Sequence, residues 1–214
     1  MTRFIIIGNG EIDNFYILRK TIKKNDIIIA VDGGADYAKK ISIRPDYIIG
    51  DMDSINNFPR NRKTANILKF SKEKNKTDSE LALDFALDNN PSDIILFGMT
   101  SLLRIDHSIN NIFLLKNLAE KGIRHTLFVN SFTRVSAVKR KIILQKKYGR
   151  SLSLIPLSQK VNGIVTKGLK YKLNKETLFM NKSRGISNII TENKAEITFI
   201  EGILLVIQIK GTLS

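Results

Sequence analysis

Ile27-Ile28-Ile29-Ala30-Val31-Asp32-Gly33-Gly34-Ala35 and, after it, Pro45-Asp46-Tyr47-Ile48-Ile49-Gly50-Asp51-Met52-Asp53-Ser54-Ile55 decide how this chain folds. In both, a short apolar run of strand length ends on carboxylates flanked by glycine. Continuous apolar runs of this kind suit strands buried on both faces, as in a parallel sheet. The acids are then delivered to the edge outside the carboxyl ends of the strands, where open α/β sheets bind their ligands. Oxygen donors beside flexible glycine backbone suit divalent cations and phosphates.

Outward from that stretch, β-branched runs alternate with helical ones up to about Val129, which predicts a mostly parallel sheet with crossover helices. Phe4–Ile7, Ile94–Phe97 and Thr126–Val129 are further expected strands, and a helix starting near Asp13 carries Phe15, Leu18 and Ile22 inward. Thr77-Asp78-Ser79-Glu80 has the capping-box form of a helix start. Ser108–Lys121 repeats apolar residues at helical spacing, with Gly122 as the stop. Beyond Asn130 the pattern becomes short alternating runs: Arg134–Leu144, Ser151–Ile155, Gly163–Val165, Ala195–Ile200 and Ile203–Ile209. Glu201-Gly202 reads as a two-residue hairpin turn between the last two. The expected architecture is an α/β N-terminal domain over residues 1–129, followed by an all-β, sandwich-like C-terminal domain over residues 130–214.

A chain of 214 residues is long enough for this core, and its lack of cysteine excludes disulfides, thiolate nucleophiles and iron–sulfur clusters. Two histidines, His107 and His125, are too few for an ordinary zinc site, so any metal should be hard and oxygen-ligated. No run approaches the roughly 18 apolar residues of a membrane span, and the start lacks a signal peptide, so a cytoplasmic location is expected. The net charge of +15 invites a nucleic-acid reading. Scattered Lys and Arg with few aromatics weigh instead toward composition bias.

Each candidate has a plainer alternative. Asp51 and Asp53, two residues apart in extended backbone, point to one side and could flank Mg²⁺; the same spacing also suits an Asp-Ser turn. At Asp32-Gly33-Gly34, backbone N–H groups can approach a phosphate, or the segment is an ordinary tight strand-to-helix connection. Gly8-Asn9-Gly10 lacks the third glycine of a dinucleotide fingerprint and reads as a turn. Asp78 either serves chemistry or charges a helix start. Arg104-Ile105-Asp106-His107 sets an Arg able to grip phosphate beside an acid, or is a surface ion pair. No Gly-x-Ser-x-Gly elbow supports a hydrolase triad through His107.

Taken in order, these segments resemble the thiamine pyrophosphokinase family. The resemblance runs through Asp32-Gly33-Gly34-Ala35, Pro45 to Ile55, Lys74-x-x-Thr77-Asp78 and Arg104-x-Asp106-His107. In the second part it continues through Ser151 to Leu157, Gly168-Leu169-Lys170-Tyr171-x-Leu173 and Ser183-x-Gly185-Ile186-Ser187-Asn188. It implies transfer of pyrophosphate from ATP to thiamine with Mg²⁺, releasing AMP, on a homodimer. It puts metal binding on Asp32, Asp51, Asp53 and Asp78, and nucleotide contacts on Asp32, Gly33, Gly34, Lys74, Thr77 and Arg104. Catalysis falls to Asp51, Asp53, Asp78, Arg104 and Asp106, with Asp78 or Asp106 as proton acceptor, and thiamine to Tyr171, Ser187 and Asn188.

Two positions depart from the family pattern. Leu102-Leu103 stand where the family has Gly-Gly before the Arg, and Asn75 replaces an acid. The first departure suggests a rival reading, a catalytically weak relative that binds nucleotide or thiamine; the net charge alone suggests a second, a nucleic-acid-binding protein.

Overall fold

The computed structural model describes residues 2–50, 66–69 and 75–211; Asp51, Asp53 and Lys74 lie outside the described residues. By compactness the chain divides into two units, Met1–Ile112 with Thr126–Ser131 and Phe113–His125 with Phe132–Ser214. The first unit holds β1 (Thr2–Ile7), α1 (Phe15–Thr21), β2 (Ile27–Val31), α2 (Gly34–Lys40), β3 (Tyr47–Gly50), β4 (Asn66–Lys69), α3 (Asp78–Asp88) and β5 (Pro91–Phe97). It also holds the start of α4 (Ile105–Glu120) and most of β6 (Arg124–Phe128). Its sheet runs β6-β5-β1-β2-β3-β4. β1 is parallel to β2 and to β5, and β2–β3 and β3–β4 continue the parallel order.

Alternation along the strands puts helices on both faces. Ile48 of β3 clusters with Ala35 of α2, whereas its neighbour Tyr47 sets its ring 4.6 Å from that of Phe85 on α3. On the α1–α2 face, Ile5, Ile7, Leu18, Ile28, Ile95 and Phe97 form one buried cluster. Each such side chain contributes about 1.5–3 kcal/mol by leaving water.

Local chemistry fixes the helix ends. Asn14, rather than Asp13, caps α1, its Oδ1 accepting the Ile17 N–H at 3.1 Å; the Asp13 carboxylate instead accepts from Ser131 N and Oγ. Thr77 Oγ1 accepts the Glu80 N–H at 3.2 Å and starts α3 as the capping box predicts, a contact worth about 1 kcal/mol. α4 stops at Gly122 (φ 73), where Gly122 N–H donates to Ala119 O and Ile123 N–H to Leu118 O, the paired bonds of a Schellman turn.

The second unit contains β7 (Thr133–Val138), β8 (Lys141–Gln145), β9 (Ser151–Pro156), β10 (Lys160–Lys167), β11 (Asn174–Phe179), β12 (Asn188–Ile189), β13 (Lys194–Thr198) and β14 (Leu204–Ile209). They form two antiparallel layers, β12-β9-β14-β7 and β11-β10-β13-β8. Leu152, Leu154, Leu204 and Val206 of the first layer share a core with Val161, Ile164, Leu178 and Ile197 of the second. Both ring nitrogens of buried His125 are committed, Nδ1 to Ile123 O and Nε2 accepting from Ala137 N–H, each at 2.9 Å.

Two expectations need correcting. Glu201-Gly202 is not a hairpin turn, because β13 pairs with β10 and β8 while β14 pairs with β7 and β9. The segment is a corner between layers, with Glu201 bridging Asn162 and Gly202 at φ 101. The run Arg134–Leu144 is likewise two strands in different layers. Alternation identifies strands and their inward faces, but not their partners.

Candidate active site

The carboxyl edge of the first sheet gathers the acid-bearing loops. Asp32 directly follows β2, and β3 ends on Gly50. α3 ends at Asp88, just before β5 starts, so it runs antiparallel to the strands and brings Thr77 and Asp78 to the same edge. α4 begins after the loop that follows β5, which places Arg104 and Asp106 there too. One sheet edge therefore collects Asp32, Gly33, Gly34, Thr77, Asp78, Arg104 and Asp106.

Asp32 holds a left-handed backbone (φ 50), costing on the order of 1 kcal/mol or more for a residue with a side chain. Its N–H donates to Ile49 O at 3.0 Å, and its carboxylate lies over Gly50, where any Cβ would collide with Oδ1. A glycine at position 50 is thus what allows the Asp32 carboxylate to sit beside the residue preceding Asp51. Gly33 caps α2 and Gly34 opens it, while the next two amides, Ala35 and Asp36, donate to Asp32 O and Gly33 O.

The loops after β1 and β5 are laced together. Gly8 N–H donates to Phe97 O and Gly10 N–H to Gly98 O, and Gly98 (φ 62) lies so near Gly8 O that a Cβ would come within 2.5 Å. The glycines of Gly8-Asn9-Gly10 therefore serve a close backbone crossing. Asn111 Nδ2 donates to Met99 O, and buried Ser108 Oγ accepts from Ser101 N–H, both at 2.8 Å.

Leu102 and Leu103 project into solvent, 83% and 91% exposed, while their backbone amides are engaged by side chains. Leu102 N–H donates to Glu11 Oε1 at 3.2 Å and Leu103 N–H to Ser101 Oγ at 3.2 Å. Glu11 carries no sequence signal for this role, because its partner lies ninety-one residues along the chain.

Arg104 and Asp106 pair with one another through two bonds, Nε to Oδ1 at 3.1 Å and Nη2 to Oδ2 at 2.9 Å. Asp106 is held at about 2, below its ordinary 3.8, chiefly by the hydrogen bonds from Arg104, and the Arg104 guanidinium is raised by the same contact. The folded-state value is depressed, so the pairing is complete above pH 3.8 and is lost as pH falls through about 2. Asp106 is an anion and a weak base at neutral pH. Thr77 Oγ1 accepts from Glu80 N–H yet keeps its own O–H to donate. Among the described residues no three of His, Cys, Asp and Glu are clustered to hold a metal; the acids Asp51 and Asp53 lie outside them.

In the second unit, Tyr171 and Asn188 are brought into contact. Tyr171 is 49% exposed, so its ring does not fill the core, and Lys170 Nζ stands 5.3 Å from the ring centroid. Asn188 is buried, with Oδ1 accepting from Tyr171 N–H at 3.1 Å and Nδ2 donating to Tyr171 O at 2.7 Å. Ser187 has a left-handed backbone (φ 59), its N–H donating to Ser153 Oγ at 3.2 Å.

The sequence matches the model of the thiamin pyrophosphokinase catalytic domain over residues 18–127 and that of the thiamin pyrophosphokinase vitamin B1 binding domain over residues 139–204. A curated thiamine pyrophosphokinase of Bacillus subtilis (strain 168) is 31% identical over 188 residues, covering 84% of this chain and 86% of the relative. A crystal structure of thiamine pyrophosphokinase from Bacillus subtilis superimposes with a TM-score of 0.89 at 26% identity, covering 99% of this chain and 100% of that one. One of thiamin pyrophosphokinase from Geobacillus thermodenitrificans gives 0.85 at 25% identity, covering 100% and 99%. With both family domains matched in order and a curated relative aligned over most of its length, the chain belongs to the thiamine pyrophosphokinase family.

Proposed function

We propose that this transferase carries the pyrophosphoryl group of ATP to the hydroxyethyl oxygen of thiamine, giving thiamine diphosphate and AMP, with residues 1–129 binding nucleotide and residues 130–214 binding thiamine. The observation that carries the nucleotide half is Asp32, whose strained backbone sets a carboxylate over Gly50 at the carboxyl edge of the sheet. A Mg²⁺ ion fits this chemistry, since the donors are carboxylates and the chain has no thiolate. Asp32, Asp51, Asp53 and Asp78 would hold it. When bound, it supplies charge neutralisation to the polyphosphate.

The chain's own groups do the positioning on which phosphoryl transfer depends. The Gly33 and Gly34 amides face the phosphates from the first turn of α2, and the Thr77 hydroxyl donates to a phosphate oxygen while its lone pair caps α3. Lys74 adds positive charge. Arg104 exchanges its exposed Asp106 partner for a phosphate, a bidentate contact of the same geometry. Once Arg104 has turned to the phosphate, the contact that depresses Asp106 is gone, and Asp78 or Asp106 accepts the proton of the thiamine hydroxyl. The Tyr171 ring, already near the Lys170 cation, takes the cationic heterocycle for about 0.5–2 kcal/mol, with Ser187 and Asn188 beside it. A cytoplasmic homodimer is part of this reading; among the described residues no helix is long and apolar enough to cross a membrane.

The test is AMP formation from ATP and Mg²⁺ in a coupled assay. AMP should appear only with thiamine present, in equal amount to thiamine diphosphate and without ADP. ADP as product, or AMP released independently of thiamine, contradicts the assignment. One observation favours a second reading, a relative that binds without turning over: the Leu102 and Leu103 amides are engaged by Glu11 and Ser101. It predicts nucleotide or thiamine binding by calorimetry with no AMP formed.

A further inference from the structure

The segment Gly168–Tyr171 runs antiparallel to Asn188–Thr191. Thr191 N–H donates to Gly168 O at 2.9 Å and Lys170 N–H to Ile189 O at 2.9 Å, with Leu169 and Ile190 bridged between them. In this register the next hydrogen-bonded backbone pair would join Lys172 to Ser187. The chain cannot supply it, because Ser187 is left-handed and commits its N–H to Ser153 Oγ.

The Asn188 side chain ties the two segments together beside that gap, at Tyr171. Its carboxamide has the donor and acceptor of a peptide group and makes both bonds to Tyr171, to N–H at 3.1 Å and from O at 2.7 Å. Oδ1 also accepts from Ile189 N–H at 2.8 Å. Asn188 is 5% exposed whereas Tyr171 is 49% exposed, so the amide lies beneath the residue that carries the ring. Oδ1 already accepts twice, and the Nδ2 proton aimed at Tyr171 O is used.

We infer that Asn188 is a positioning residue: its side-chain amide holds the Tyr171 backbone where the backbone ladder ends and so presents the ring, and it acts on thiamine through Tyr171 rather than by touching it. This rests on the reading of Tyr171 as the thiamine-facing ring, and it changes the role expected for Asn188 from ligand contact to support.

A double-mutant cycle on the full-length protein separates the two ideas, with thiamine and Mg²⁺-ATP affinities measured by calorimetry beside melting temperature. Asn188→Ala should weaken thiamine by about threefold to tenfold, the usual effect of losing buried hydrogen bonds. ATP affinity should be unchanged. In the Tyr171→Ala background the same substitution should have no further effect on thiamine. Losses in thiamine affinity that multiply in the double variant would overturn the inference, because Asn188 would then contact thiamine itself. If Tyr171→Ala alone leaves thiamine affinity intact, the underlying reading of the ring fails instead. Should Asn188→Ala not fold, Asn188→Ser serves in the same cycle, since the shorter side chain gives up the paired amide contacts to Tyr171 without adding charge.

Discussion

The α/β unit and the β unit hold their candidate site residues in opposite ways. In the first, the candidate acids stand where elements meet loops: Asp32 follows β2, Asp78 opens α3, and Asp106 lies in the first turn of α4. Their positions follow from parallel strands and antiparallel crossover helices, with strain accepted at Asp32 (φ 50). In the second, Tyr171 belongs to no strand and is kept in place by the amide of a buried asparagine. Topology alone is enough to collect charges at an edge, whereas a single exposed ring needs its own bracket.

The largest effect is expected in the first unit. Asp51→Asn or Asp53→Asn should lower turnover on the order of 10² or more by removing charge compensation at the phosphates, with circular dichroism and melting unchanged. Near-normal turnover in both variants would move the chemistry away from the sheet edge. In the second unit, Tyr171→Ala should raise the thiamine dissociation constant roughly threefold to thirtyfold. Because the ring is half exposed, the variant should keep its melting temperature within a few degrees; a loss of about 3–5 kcal/mol would instead mark a core aromatic.

The difference between the units also governs what the sequence reveals. Strands β1, β2, β3 and β5 and the capped start of α3 are legible because apolar runs, glycine stops and Thr77-x-x-Glu80 act within a few residues. Glu201-Gly202 misleads because hairpin and sandwich corner share one local pattern and differ only in which strands pair. The acids at the edge are readable as acids following strands. Glu11 holding Leu102, or Asn188 holding Tyr171, is not, since each bond joins segments that only the fold brings together.

Smaller effects sharpen the comparison. Replacing Leu102 and Leu103 by Gly should tighten ATP by no more than about fivefold, because added backbone freedom of up to about 1 kcal/mol per residue opposes closer approach. An unchanged or weaker ATP affinity by calorimetry would show that this loop does not limit nucleotide binding. The smallest change is electrostatic: in Arg104→Gln the Asp106 carboxyl, followed by NMR titration, should rise from about 2 toward 3.8. A value still near 2 would mean that Arg104 is not the cause of the depression.

The division of labour between the units is tested most directly by measuring Mg²⁺-ATP and thiamine affinities on both Asp53→Asn and Tyr171→Ala. Asp53→Asn should lose affinity for Mg²⁺-ATP and keep thiamine, while Tyr171→Ala should lose thiamine and keep Mg²⁺-ATP. If each variant weakens both ligands to the same extent, nucleotide and thiamine are not divided between the α/β and β units in the way set out here.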